Sequence, residues 1–177
     1  GAHPKEIVFT SGATESINIA LKGAAEMYAD KGNHIITAQT EHKATLDSAK
    51  YLEKHGCTVT YLPVDKNGAI TPEQVKAAMT DKTILISLMH ANNEIGNMID
   101  LHVVGEICKK YDAIFHSDTV QTIGHFPFNL KQTHIHFLTG SGHKFHGPKG
   151  CGILYINENI KIEPFIHGGG QERNMRA

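Results

Sequence analysis

The spacing of apolar positions changes repeatedly along the chain, and each change marks an element. Glu6–Phe9 reads as a short strand. From Thr14 to Asp30, Ile17, Leu21, Ala24 and Tyr28 recur at steps of 4, 3 and 4, which gathers them on one face of a helix. His34–Ala38 is a second strand. Lys43–His55 is helical, and Gly56 stands where a helix stops. Cys57–Leu62 alternates and is rich in β-branched residues, as strands are. At Thr71-Pro72-Glu73-Gln74 a helix opens: Thr71 caps, Pro72 suits the first helical position, and Gln74 completes a capping box. Thr83–Met89 is mostly apolar and predicts a buried strand. Asp100 caps a helix whose inner face is Val104, Ile107, Cys108 and Tyr111. Ala113–His116, Ile135–Thr139 and Gly152–Ile156 complete the set of strands.

Strands that alternate with helices imply an α/β fold: a three-layer α/β/α arrangement around a mostly parallel sheet of about seven strands. The last three strands lack long helices between them, so an antiparallel member is expected there. No repeat, low-complexity tract or linker divides the chain, and its 177 residues suit one domain. The chain opens at Gly1-Ala2-His3-Pro4, directly before a strand, and stops at Asn174-Met175-Arg176-Ala177, just after a glycine cluster. Both ends read as cut from a longer protein.

Charge removes several classes of function. Lys and Arg total 17, Asp and Glu 18, for a formal charge of −1, so no basic excess draws the chain to nucleic acid or an anionic membrane. No apolar run has the length of a membrane span, and the N-terminus is not a signal peptide. The 13 histidines stand out, and they predict stability that depends on pH between about 5 and 7. Cys57, Cys108 and Cys151 are widely spaced and form neither a disulfide framework nor a zinc ribbon; buried, unreactive thiols in a reducing, cytoplasm-like compartment are expected.

In parallel sheets ligands bind beyond the carboxyl ends of the strands. That rule selects Ser11–Glu15, Thr40–His42, His90–Gly96, His116–Gln121 and Ser141–Gly150. Thr10-Ser11-Gly12-Ala13-Thr14 joins a strand to a helix, where small residues and free N–H groups suit a phosphate. Alone, the plainer reading is a tight turn before a capped helix. Lys144, between small and ring residues in Ser141-Gly142-His143-Lys144, is a candidate for burial, a lowered pKa and imine formation with a carbonyl; a solvated loop lysine is the alternative. Asp118 could orient a histidine, bind a metal with His116 or His143, or hold a heteroaromatic nitrogen protonated. The scattered histidines and the absence of an HExxH pattern disfavour the metal. Glu41-His42 and Asn92-Asn93-Glu94 read individually as turn or cap residues. His134 and His136 share one strand face and read as surface or satisfied core residues.

In order, these strings resemble the pyridoxal 5'-phosphate (PLP) fold of class V aminotransferases, and more narrowly cysteine desulfurases of the NifS/IscS type. The matching strings are Phe9-Thr10-Ser11-Gly12-Ala13-Thr14-Glu15, Thr40-Glu41-His42-Lys43-Ala44, Met89–Gly96, His116-Ser117-Asp118 with Gln121, Ser141-Gly142-His143-Lys144 with Gly147–Gly150, and His167-Gly168-Gly169-Gly170-Gln171-Glu172-Arg173. The resemblance implies the large domain of an aspartate aminotransferase-like fold over residues 1–177. Lys144 would form an imine with PLP, Asp118 would pair with the ring nitrogen, and Gln121 would bond the ring hydroxyl. His42 would stack on the ring and move protons. Ala13, Thr14, Ser141 and His143 would hold the phosphate, and Asn93 would lie near the ring hydroxyl and the substrate carboxylate.

It further implies conversion of L-cysteine to L-alanine, with sulfur passed as an enzyme persulfide to an acceptor, an iron–sulfur scaffold by default, from a cytoplasmic homodimer. The family's persulfide cysteine and its substrate-clamping arginine would lie beyond Ala177, and Cys57, Cys108 and Cys151 do not match that cysteine. A selenocysteine lyase or another class V enzyme is the nearest rival; a non-catalytic PLP-binding scaffold is the second. A metal hydrolase is the weakest.

Overall fold

The computed structural model describes residues 1–176; the last residue of the expected domain, Ala177, lies outside the described residues. Seven strands, β1 (Ile7–Thr10), β2 (His34–Ala38), β3 (Thr58–Leu62), β4 (Thr83–Ser87), β5 (Ile114–Asp118), β6 (Phe137–Ser141) and β7 (Gly152–Ile156), form one sheet. Its order is β1-β7-β6-β5-β4-β2-β3. Strand β7 runs antiparallel to both of its neighbours, and the remaining pairs are parallel. The expected antiparallel member is therefore β7.

Helices α1 (Ala13–Met27) and α2 (Lys43–Glu53) cover one face, and α3 (Pro72–Ala78) and α4 (Leu101–Lys110) the other. Each face has its own core. Ile17, Leu21 and Ala24 of α1 meet Ile84, Ile114 and Phe137; Val75, Val104 and Cys108 meet Ile86, Phe115 and Leu138. Burial on both faces explains why β2, β4, β5 and β6 are buried at every position.

Two histidines inside the sheet are satisfied across strands. His34 of β2 has Nδ1 2.7 Å from Thr83 Oγ1 and Nε2 2.8 Å from Thr60 Oγ1. His116 of β5 has Nδ1 2.8 Å from Ser87 Oγ and Nε2 2.9 Å from Thr139 Oγ1. Burial pushes the His116 imidazole down to about 3, so it stays neutral.

Several expected boundaries move. β5 runs two residues past His116, to Asp118, because the His116 ring finds partners on both neighbouring strands and the backbone pairing with β6 continues through Ser117 and Asp118. β6 begins at Phe137, so His134 and His136 precede it. His136 is a satisfied core residue: its Nδ1 accepts Phe115 N–H at 2.9 Å. Of the thiols, Cys108 is buried, Cys57 is half-buried and Cys151 is exposed. The expectation of burial fails at Cys151, which lies in the turn before β7, where its carbonyl accepts Gly142 N–H and its side chain faces out.

Candidate functional site

A cavity of about 470 Å³ opens where β1, β5 and β6 end and β7 begins. Nine residues singled out from the sequence line it: Ala13, Thr14, His42, Asn93, Asp118, Gln121, Ser141, His143 and Lys144. A larger cavity, about 700 Å³, lies at the opposite end of the strands around Glu6, His134 and Tyr155, and none of those nine lines it. The smaller one is the candidate site, because it occupies the end of the sheet where α/β folds bind ligands.

Its first wall is the turn from β1 into α1. Gly12 is the N-cap of α1, and no side chain caps the helix, so the first amides and the positive end of the dipole face the cavity unblocked. The turn is held down from behind. Thr10 Oγ1 lies 2.8 Å from Ser16 Oγ, which donates to Ile153 O at 3.1 Å. Gly152 presses against the same turn: a Cβ there would come within 2.5 Å of Gly12 Cα. Glu15 also lines the cavity, but its carboxylate is engaged. Oε2 accepts the Ser11 N–H and O–H at 2.7 and 2.6 Å, and Oε1 pairs with Arg176. Burial opposes its charge, but the Arg176 and Ser11 hydrogen bonds outweigh that and hold its pKa low.

The second wall carries the lysine. After β6, Gly142–Lys144 makes a single 3-10 turn. Gly142 and Cys151 close the loop at its base through the Gly142 N–H to Cys151 O bond, 2.8 Å. Ser141 Oγ and His143 Nδ1 are 3.0 Å apart, and His125 Nε2 lies 3.0 Å from Lys144 O. The Lys144 backbone is thus anchored while its side chain is exposed at the cavity. Of the two readings of Lys144, the exposed loop lysine holds, because the loop carries it onto the rim rather than under the sheet.

Asp118, at the end of β5, forms the floor. It is 4% exposed, and its Oδ1 accepts Val120 N–H at 3.0 Å. Burial raises its pKa, while Val120 N–H and nearby His42 pull it back; the net direction is up. A buried carboxylate in this position gains from any cationic group placed against it. His42 is the N-cap of α2, with Nδ1 accepting Ala44 N–H at 3.1 Å. That bond leaves Nε2 as the protonated nitrogen of the neutral ring. Ser11, Gly12, Glu15, Val120, Lys149 and Gly150 also line the cavity; they lay within the selected segments, but nothing in residue type separated them from turn residues. Among the described residues, no group of three or more His, Cys, Asp or Glu is placed to hold a metal ion. No helix among them is long and apolar enough to cross a membrane.

Residues 1–176 match the model of class V aminotransferases. The chain belongs to the class V aminotransferase family. Within it, the chain is 52% identical to the cysteine desulfurase IscS of Klebsiella pneumoniae subsp. pneumoniae over its whole length, which is 44% of that relative. The cysteine desulfurase IscS of Dictyoglomus turgidum is also 52% identical, with 45% of its length covered. The chain therefore spans less than half the length of these curated relatives. Among solved structures, a NifS-like protein superposes with a TM-score of 0.95 at 46% identity, over all of this chain and 49% of that one. SspA in complex with cysteine gives a TM-score of 0.95 at 41% identity, over 99% of this chain and 51% of that one. The seven-stranded sheet is thus the class V fold, with the anion-ready turn, the amine and the buried carboxylate at one end of it.

Proposed function

We propose that this chain is the PLP-binding large domain of a cysteine desulfurase, which takes sulfur from L-cysteine and leaves L-alanine. The observation that carries this reading is the shared cavity of Lys144 and Asp118, with the uncapped start of α1 on its wall. These residues fit the cofactor part by part: an amine for its aldehyde, a carboxylate for its ring nitrogen and free helix amides for its phosphate. The 52% identity to proteins named cysteine desulfurase IscS supports the substrate.

When bound, PLP supplies an electron sink for bonds broken at the substrate's α-carbon. The chain's own groups do the rest. Lys144 Nζ would hold the cofactor through its aldehyde carbon and would serve as the base for the substrate's α-proton. Asp118 would keep the ring nitrogen protonated, since it offers a buried negative charge for that nitrogen. His42 would stack on the ring and could move protons through Nε2. Gln121 would hydrogen-bond the ring hydroxyl, and Asn93 would lie near that hydroxyl and the substrate carboxylate. Ala13 N–H, Thr14, Ser141 and His143 would hold the phosphate.

The sulfur leaves cysteine for a thiolate of the enzyme and is stored there as a persulfide for an acceptor protein, an iron–sulfur scaffold in this reading. Cys108 cannot be that thiolate, since burial holds its thiol protonated, and neither Cys57 nor Cys151 lines the cavity. On these three cysteines alone, the 177 residues by themselves would release no sulfide. In the whole protein the domain works in a homodimer in the cytoplasm.

The test is to incubate the purified protein with PLP, reduce with borohydride and map the adduct by mass. Label on Lys144 is expected. Label on another lysine, or none, refutes the cofactor site. For the substrate, the whole protein should release sulfide from cysteine faster than selenide from selenocysteine; the reverse order would make it a selenocysteine lyase.

A further inference from the structure

Among the described residues, one buried acid near the site has no cation paired with it. Glu41 precedes His42 in the link between β2 and α2, yet the two behave oppositely: His42 is exposed at the cavity, while Glu41 is 6% exposed. Glu41 Oε1 accepts Met89 N–H at 2.7 Å, and Oε2 is buried with no hydrogen-bond partner. The described ion pairs engage Asp112, Asp47 and Glu15, not Glu41. The titratable group that acts on it through space is Asp118, of the same sign.

We propose that Glu41 is a neutral carboxylic acid that positions His42 and leaves Asp118 as the one negative charge beneath the ring site. The magnitudes favour the neutral form. An O–H left without a partner costs about 1–3 kcal/mol, whereas an unpaired buried carboxylate costs several kcal/mol. Burial, helped by Asp118 and opposed by Met89 N–H, pushes its pKa well above the ordinary carboxylate range.

The positioning role is visible in the bonds around it. Glu41 is tied to Met89. The next residue, His90, donates its N–H to Asp118 O at 2.9 Å. Asn92 Nδ2 then donates to Thr40 O at 2.8 Å. The link carrying His42, the segment carrying Asn93 and the end of β5 carrying Asp118 thus form one hydrogen-bonded unit, and Glu41 is a side-chain tie within it. Ionised, it would set a second negative charge beside Asp118 and raise that residue's own proton affinity. A protonated Asp118 would no longer stabilise a cationic ring nitrogen. The ligand half of this inference rests on the cofactor reading above; the protonation half does not.

The test compares the parent protein with Glu41→Gln, which keeps the acceptor for Met89 N–H, and Glu41→Leu, which removes it. The infrared carbonyl stretch of a protonated carboxyl group, recorded near neutral pH without PLP, should be present in the parent and lost in Glu41→Gln, so that it stands out in the parent-minus-variant difference spectrum. PLP affinity should stay within about threefold in Glu41→Gln and fall by about tenfold, the equivalent of 1.4 kcal/mol, in Glu41→Leu. No carboxyl band attributable to Glu41, or Glu41→Gln losing as much affinity as Glu41→Leu, overturns the proposal. Should Glu41→Leu not fold, the Glu41→Gln spectrum and affinity decide alone. A parent that shows the band but takes up no PLP refutes the cofactor reading and upholds the neutral acid; a parent that binds PLP without the band does the reverse.

Discussion

Buried histidines should make this protein lose stability when the pH falls from about 7 to about 5, and the loss can be worked out. Burial, with His134 and Lys31 adding to it against Asp112, pushes His136 down to about 4. Burial alone pushes His116 to about 3. An unfolded histidine titrates near 6.5. The folded pKa is the depressed one, so the unfolded chain takes the proton first. Stability is complete above about 6.5 and is lost as the pH falls towards the folded values. At about pH 5 the unfolded histidine is almost fully protonated and the folded one almost bare, which costs about 2 kcal/mol for each residue. Together His116 and His136 cost about 4 kcal/mol, a large part of a domain's usual 5–15 kcal/mol. His34, His90 and His134 are also depressed and add in the same direction. Glu41 and Asp118 are raised and act oppositely, gaining stability on acidification, so the parent's total slope does not isolate the histidines. A variant does. In His136→Asn the side-chain oxygen can replace Nδ1 as acceptor for Phe115 N–H without titrating. Urea unfolding at the two pH values should show the variant losing about 2 kcal/mol less than the parent. Equal losses would mean that His136 is protonated in the folded protein, and the burial argument would be wrong.

Gly152→Ala should cost about 1–3 kcal/mol through overpacking, since its Cβ would meet Gly12 Cα at 2.5 Å and Thr10 Oγ1 at 2.6 Å. Because the displaced turn is the anion-facing one, PLP affinity should fall as well. Gly56→Ala is the control: Gly56 has φ +97° and open space around it, so backbone strain should cost about 1–2 kcal/mol with PLP affinity unchanged. Equal PLP affinity in both variants would show that the contact between β7 and the turn does not shape the site. Asp100→Ala removes the cap that accepts His102 N–H at 2.9 Å and Val103 N–H at 3.2 Å; the urea midpoint should fall by the equivalent of about 1 kcal/mol, and an unmoved midpoint would show that α4 does not need the cap.

Most of the fold was legible because local signals and burial agreed. His34–Ala38 and Gly152–Ile156 are strands with the expected bounds, and Thr71 and Asp100 cap α3 and α4 as read. The errors fall where a cross-strand partner decides. His116-Ser117-Asp118 looks like a polar loop in one dimension, yet Ser87 and Thr139 satisfy His116 from both sides and the strand continues. The exposure of Cys151 follows from a hairpin base whose carbonyl, not its thiol, faces Gly142. At the site, family strings named the nine residues that meet in the cavity, but they could not rank Glu41 above a turn residue. Its distinction is that, among the described residues, no cation pairs with it, which only the packed chain reveals.

The convergence itself follows from one reversed strand. β1, β2, β4, β5 and β6 all end on the same side of the sheet, and β7, running the other way, begins there. The order β1-β7-β6-β5 then fixes the order of the chemistry: the helix amides after β1, the lysine loop between β6 and β7, the carboxylate at the end of β5. At about 4.8 Å per strand, roughly 14 Å separates the axes of the first and last. A ligand bridging them needs an anionic group at one end, a cationic nitrogen at the other and its electrophilic carbon within reach of the middle. Reversing β7 alone would move Lys149 and Gly150 to the far end of the sheet and open the loop that carries Lys144. The antiparallel strand, which departs from the regular α/β pattern, is therefore the element that puts the amine between the anion cradle and the acid.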